Sequence, residues 1–304
     1  MKLKTKNLLT LAELSPKEFS SLIDESIKLK KQLKKGISKP VLKNKTLAMI
    51  FQKPSTRTRV SFETGMFQLG GHAINLSAND MQLSRGESVE DTAKTLSRYT
   101  DCIMARVYSH DLIEKLSEHS SVPVINGLSD SFHPCQILAD FMTIKEKKKK
   151  LKGLKIAWVG DGNNVCNSMI YGAAMSEIEM SIATPKEFQP DKGVVKNAKK
   201  STSIELTADP FTATKNADVV VTDTYSSIHN SDPKRIKKFL PKYQVSPKIM
   251  KSANSDAIFL HCLPAKREQE VTASVIDGNQ SVIWDEAENR LHTQKALLAA
   301  LIRA

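Results

Sequence analysis

Cysteine is scarce and scattered. Its four residues in 304, Cys102, Cys135, Cys166 and Cys262, form no Cys-x-x-Cys pair. That spacing argues against a disulfide framework and against a zinc site, and no metal is expected. Each thiol is read first as a small buried apolar group. Aromatic residues make up 6% of the chain, with no aromatic-rich platform or obvious reading helix for nucleic acid. No apolar run approaches the ~18 residues that a membrane span needs. The first sixteen residues are basic but lack a long apolar stretch and a small-residue cleavage site, and a helix-capping sequence follows at once. Neither a secretory leader nor a transit peptide is expected, and the expected compartment is the cytoplasm. Repeats of 20–50 residues and disordered tracts are also missing.

Acidic residues are in deficit, 33 against 45 basic, for a formal charge of +12. Such a balance suits nucleic acid, a membrane surface or a small anionic substrate. Much of it is dispersed lysine. The one dense run, Lys145-Glu146-Lys147-Lys148-Lys149-Lys150, lies between an apolar helical stretch and a strand, and reads as a solvated helix end or linker.

What is present is a regular alternation. Ser15-Pro16-Lys17-Glu18 is a capping box with proline at the first helical position, followed by Phe19, Leu22, Ile23 and Ile27 at helical spacing and a stop at Gly36. A buried-strand run spans 46–51, a helix 57–68, a strand 73–76, a helix capped by Ser88, a strand 102–107 and a helix 112–119. After the lysine run the pattern restarts with a strand at 155–159, a helix at 165–176 and strands at 180–183, 219–221 and 257–260, closing with a helix from about 285 to 302. Short apolar strands alternating with helices predict an α/β fold with parallel sheets, in two domains that meet near 141–153.

Four clusters carry chemistry. Ser55-Thr56-Arg57-Thr58-Arg59 lies between a strand end and a helix start, where unpaired N–H groups and the helix dipole favour anions. Two hydroxyl types and two guanidiniums there make a phosphate cradle, at the carboxyl edge where α/β sheets bind ligands; the plainer reading is a helix cap with basic surface residues. His133-Pro134-Cys135-Gln136 offers a donor for a carbonyl oxygen and an acceptor for an amide N–H, which suits a planar O=C–NH2 group. His261-Cys262-Leu263-Pro264 follows an apolar strand and could activate a nucleophile or bind a metal. Adjacent strand residues face opposite ways, which disfavours a direct Cys–His pair. Gly160-Asp161-Gly162-Asn163-Asn164-Val165 is like a dinucleotide fingerprint, but Val165 replaces the third glycine and the next strand ends without an acid for a ribose. A nicotinamide site is therefore disfavoured, and the two asparagine amides suit a polar zwitterion.

In this order, the blocks resemble the aspartate/ornithine carbamoyltransferase family, and its ornithine branch in particular. Phe51 through Arg59 with Phe62-Glu63 is similar to the carbamoyl phosphate signature. Phe132-His133-Pro134-Cys135-Gln136-Ile137-Leu138-Ala139-Asp140 and Phe259-Leu260-His261-Cys262-Leu263-Pro264 are similar to the ornithine branch. The resemblance covers nearly the whole chain, from about Leu8 onward. It implies a carbamoyl phosphate-binding domain (1–140), an ornithine-binding domain (141–285) and a C-terminal helix (286–304) that returns to the first domain, each domain having a central parallel sheet flanked by helices.

The activity so implied is transfer of the carbamoyl group of carbamoyl phosphate to the δ-amine of L-ornithine, giving citrulline and phosphate without a cofactor. Arginine biosynthesis is the expected setting, although the sequence does not separate synthesis from breakdown. Ser55, Thr56, Arg57, Thr58, Arg106 and Arg290 would hold the phosphate. His133, Pro134, Cys135 and Gln136 would hold the carbamoyl end. Gln82 matches a loop that reaches a neighbouring subunit, which implies a homotrimer. Asn164, Asp223, Ser227 and Ile228 would bind ornithine, and Cys262 with the Leu263 backbone would line the gap between the reactants. Arg106, His133 and Cys262 are the catalytic candidates. Arg106, His133 and Thr58 would meet the tetrahedral oxyanion, while Cys262 takes or relays a proton. The chain departs from the branch in the ornithine loop, where Ile228-His229 stands for Met-Gly, and again at Ala265 through Glu270. The alternative is the same chemistry on another amine, putrescine or an N-acylated ornithine, against which Asp223 and Ser227 argue. No nucleic-acid or membrane partner is expected.

Overall fold

The structure, a computed structural model, describes residues 2–226 and 233–302. It divides into two units, Met1–Met142 with Glu288–Ala304, and Thr143–Ala287.

In the first unit, strands β1 (Thr46–Phe51), β2 (His72–Ser77), β3 (Cys102–Arg106) and β4 (Val124–Leu128) pair in parallel, in the order β2-β1-β3-β4. Helices α1 (Pro16–Lys34), α2 (Thr56–Gln68), α3 (Val89–Tyr99), α4 (His110–His119) and the start of α5 (Pro134–Lys148), which runs on into the second unit from Thr143, connect or flank them. The capping box at Ser15 forms on both sides: the Glu18 amide donates to Ser15 Oγ at 3.3 Å and the Ser15 amide donates to Glu18 Oε2 at 2.9 Å. Ser88 caps α3 by accepting from the Asp91 amide. Strands β1 and β3 are almost wholly buried, as expected of near-continuous apolar runs in parallel sheets covered on both faces. Each fully buried Leu or Ile there contributes about 1.5–3 kcal/mol. At its edge of the sheet, β2 is more exposed.

In the second unit, β5 (Lys155–Val159), β6 (Glu179–Ala183), β7 (Ile204–Thr207), β8 (Val219–Val221) and β9 (Ile258–Leu260) form a parallel sheet ordered β7-β6-β5-β8-β9. Helix α6 (Asn164–Ser176) follows β5. Its core joins Val159, Val220 and Phe259 of the sheet to Tyr225, Phe239 and Tyr243, and the Tyr225 and Phe239 rings stack with centroids 4.3 Å apart. The C-terminal helix, Ile283–Ile302, begins in the second unit and continues in the first. None of the described helices is long and apolar enough to cross a membrane.

Two strands, β4 and β7, are additional to those read from sequence. β4 contains Asn126-Gly127, a pair that locally signals a turn. Here Gly127 is a packing requirement, because a Cβ would lie 2.4 Å from Met104 Sδ on the neighbouring strand. The lysine run is partly neutralised within the second unit: Lys147 pairs with Asp285 at 2.8 Å and Lys148 with Asp256 at 2.9 Å.

Candidate active site

Strand order places the functional loops. In the first unit, β1 and β3 are central neighbours whose connections leave in opposite directions, the kind of switch point at which open α/β sheets bind ligands. Phe51 pairs with Arg106 across this point, so the Ser55 loop and Arg106 emerge side by side. Ser55 is the N-cap of α2, its hydroxyl accepting from the Thr58 amide at 3.4 Å.

Arg290 of the C-terminal helix and Arg106 of β3 both donate to Thr58 Oγ1, at 3.3 and 3.4 Å. Because that oxygen already accepts twice, its O–H is left to donate to a bound group. Arg290 also donates to Gln136 Oε1 at 2.6 Å. Thr58, Gln136, His133 and Arg290 are each at most 4% exposed. Burial, and then Arg290, Arg106 and Arg57 in turn, hold the His133 imidazole well below its ordinary range. His133 is therefore a neutral hydrogen-bonding group at neutral pH, and the guanidiniums supply the positive charge.

The motif sorts its arginines. Arg57 acts electrostatically on His133, whereas Arg59 pairs with Glu63 at 2.9 Å on the exposed face of α2. Thr56 is exposed and Pro134 opens α5. Cys135 is a packing group: its thiol donates to the Asn126 carbonyl and burial pushes it up to about 12. Gln82 is exposed in the short turn Gln82–Arg85 that follows β2.

In the second unit the corresponding switch point lies between β5 and β8, with β9 beside them. Asn163 follows β5 and caps α6, its Oδ1 accepting from the amides of Val165 and Cys166 at 3.0 and 3.1 Å. That cap fixes its amide, so Nδ2 faces away and donates to Asp223 Oδ2 at 2.7 Å. Asp223, after β8, also accepts from Cys262 Sγ at 3.2 Å and from the Thr224 amide at 2.7 Å. Asn164 is buried in the first turn of α6. Ser227 and Ile228 lie outside the described residues.

His261 Nδ1 accepts from the Leu263 amide at 2.9 Å, so the proton of the neutral ring sits on Nε2, 3.1 Å from Glu270 Oε1. This arrangement steadies Leu263, whose φ is +58°, directly after Cys262. A direct Cys–His couple is thus replaced by two separate links, Cys262 to Asp223 and His261 to Glu270. Asp223, His261 and Cys262 bring one donor atom each within 4.8 Å of one another. A soft cation there would first have to displace a hydrogen bond from one His261 nitrogen.

The glycines of the fingerprint-like loop serve packing. A Cβ on Gly162 would lie 2.3 Å from the Pro190 nitrogen and 2.5 Å from the Phe188 oxygen. Beside it, Asp161 ion-pairs with Arg235, and burial still raises its carboxyl to about 6. Glu270 and Asp140 are contributors that the sequence reading gives no role. Asp140 had a signal, standing one helical turn after Gln136; Glu270 had none.

Residues 6–146 match the family description "Aspartate/ornithine carbamoyltransferase, carbamoyl-P binding domain", and residues 152–301 match "Aspartate/ornithine carbamoyltransferase, Asp/Orn binding domain". The ornithine carbamoyltransferase of Cenarchaeum symbiosum (strain A) is 61% identical over 302 residues, covering 99% of each chain. Among solved structures, that of ornithine carbamoyltransferase from Pyrococcus furiosus superposes with a TM-score of 0.94 at 50% identity, covering 98% of this chain and 97% of that one. The anabolic ornithine carbamoyltransferase of Campylobacter jejuni gives 0.92 at 42% identity, covering 99% and 100%. With both halves matched and every cluster at a sheet's carboxyl edge, the chain belongs to the aspartate/ornithine carbamoyltransferase family.

Proposed function

We propose that the protein transfers the carbamoyl group of carbamoyl phosphate to the δ-amine of L-ornithine, releasing citrulline and phosphate. The observation that carries this reading is the convergence of Arg106, Arg290, Thr58, Gln136 and a neutral His133 in the first unit. Cations for a phosphate, a neutral donor for a carbonyl and an acceptor for an amide N–H match the parts of carbamoyl phosphate. The Ser55–Thr58 helix N-terminus adds unpaired N–H groups.

The first unit binds carbamoyl phosphate. The second binds ornithine through Asn164, Asp223 and Ser227, with Cys262 and Leu263 at the reacting amine. The amine must lose a proton, which Cys262 takes or relays, before its lone pair attacks the carbamoyl carbon. Arg106, His133 and the Thr58 hydroxyl stabilise the resulting oxyanion. The carbonyl then re-forms as the bond between the carbamoyl carbon and the bridging oxygen breaks; its electrons leave with the phosphate, which takes the proton released by the attacking nitrogen and is neutralised by the arginines. The setting is arginine biosynthesis in the cytoplasm.

The working assembly is a homotrimer in which Gln82 reaches a neighbouring copy. Support comes from the β2 edge strand, which carries the exposed Ile74 (40%), and from Phe67 (80%) and Val60 (54%), exposed on α2. Sedimentation at the mass of three chains is expected, and a monomer that retains full activity would refute it.

The decisive experiment is a colorimetric citrulline assay on the native protein beside Arg57→Ala. Losing the charge-assisted bonds of one guanidinium, about 3–4 kcal/mol for a bidentate contact, should lower kcat/KM for carbamoyl phosphate at least ~100-fold. Ornithine should be turned over at least about tenfold faster than putrescine, since Asp223 and Ser227 address an α-amino acid head. No citrulline from the native protein, or the reverse ranking, would overturn the assignment.

A further inference from the structure

Asp140 is 1% exposed on α5, one turn after Gln136, and accepts from Gln136 Nε2 at 2.8 Å. On its other side, Gln136 Oε1 accepts from Arg290 at 2.6 Å. A carboxylate can only accept and a guanidinium can only donate. These neighbours therefore admit one orientation of the amide: NH2 toward Asp140, oxygen toward Arg290. Flipping it would set an oxygen against a carboxylate and an NH2 against a guanidinium, losing both buried hydrogen bonds.

We propose that Asp140 is a positioning residue for carbamoyl transfer, locking the Gln136 carboxamide so that its oxygen faces the carbamoyl phosphate site. This rests on the reading of Gln136 as the acceptor for the carbamoyl NH2. A flipped amide would meet the substrate donor with another donor. Asp140 is also joined through Gln136, Arg290 and Thr58 to Arg106. It therefore fixes the amide to which the phosphate-binding guanidinium is itself bonded.

The test is a double-mutant cycle on the full chain with Asp140→Asn, Gln136→Ala and both together. Asparagine keeps the shape of Asp140 but loses its charge and can donate as well as accept, so Arg290 alone then holds the Gln136 amide in one orientation and the lock is weakened. Asp140→Asn should raise KM for carbamoyl phosphate about tenfold while KM for ornithine stays within about twofold. The double variant should be no worse than Gln136→Ala alone, because Asp140 acts through that side chain. A purely structural Asp140 would lower the melting temperature and kcat, leave that KM intact, and multiply with Gln136→Ala; this result overturns the proposal. A defect in Gln136→Ala with none in Asp140→Asn also overturns it, leaving the site assignment standing. No change of KM in Gln136→Ala overturns the assignment itself. If Asp140→Asn fails to fold, Asp140→Ser, which needs no extra space, carries the same cycle.

Discussion

Replacing Asp223 by asparagine probes the amine-binding half more sharply than its small change in shape suggests. Asp223 accepts three hydrogen bonds, from Asn163 Nδ2 on one oxygen and from Cys262 Sγ and the Thr224 amide on the other. An asparagine has one acceptor oxygen, so its NH2 must face a donor on one side. Asn163 cannot flip to relieve the clash, because its own oxygen caps α6 through the Val165 and Cys166 amides. At 6% exposure, the orphaned donor should cost about 1–3 kcal/mol of stability. On the proposed role of Asp223, loss of the negative charge removes a charge-assisted bond to the substrate amine worth about 1.5–3 kcal/mol, a roughly 10- to 150-fold fall in kcat/KM for ornithine. KM for carbamoyl phosphate should move by less than about twofold, since Asp223 lies in the other unit. The assays are citrulline formation with each substrate varied and a thermal melt. An ornithine kcat/KM within about threefold of native with an unchanged melt would refute the reasoning.

Three further predictions concern stability. Gln294, 1% exposed, has neither amide atom hydrogen-bonded among the described residues. Gln294→Met, similar in length and apolar, should relieve about 1–3 kcal/mol and raise the melting temperature; a lower one would count against it. Burial pushes the Glu13 carboxyl from 4.5 up to about 7, although it accepts from the Leu9 and Thr10 amides. The folded state thus holds this proton more tightly than the unfolded chain, so the group's stabilising contribution is full below about pH 4.5 and is lost as pH rises through about 7. In denaturant titrations, the stability of Glu13→Gln minus that of the native protein should rise across that window by up to about 3 kcal/mol; a flat or falling difference would refute it. Gly162→Ala would drive a Cβ into the backbone at Phe188 and Pro190 and should cost at least about 2 kcal/mol. A native denaturation midpoint for that variant would show the loop to be more yielding.

Much was legible locally. The capping box at Ser15, the caps at Ser55 and Ser88, and the strands at 46–51, 155–159 and 219–221 follow from rules operating within a few residues. β4 and β7 were not legible, because Asn126-Gly127 mimics a turn and β7 is a four-residue edge strand carrying Glu205. The fingerprint-like loop was read as unsuited to a dinucleotide from its missing third glycine and the missing acid after the next strand. Its glycines and Asn163 nevertheless serve packing and capping, which no local pattern separates from ligand binding.

The sequence by itself determined the α/β alternation, the family resemblance and the motifs facing the sheet edges, because period, capping and turn chemistry act over short distances. Only the tertiary structure decided which of those groups meet. Arg290 reaches Thr58 and Gln136 across 232 and 154 residues of chain, respectively. His261 finds Glu270 instead of Cys262, and two neighbours with opposite hydrogen-bonding capacity settle the amide of Gln136. Such partnerships depend on sheet order and on how helices pack. Donor and acceptor roles become restrictive only when burial removes the water that would satisfy either orientation.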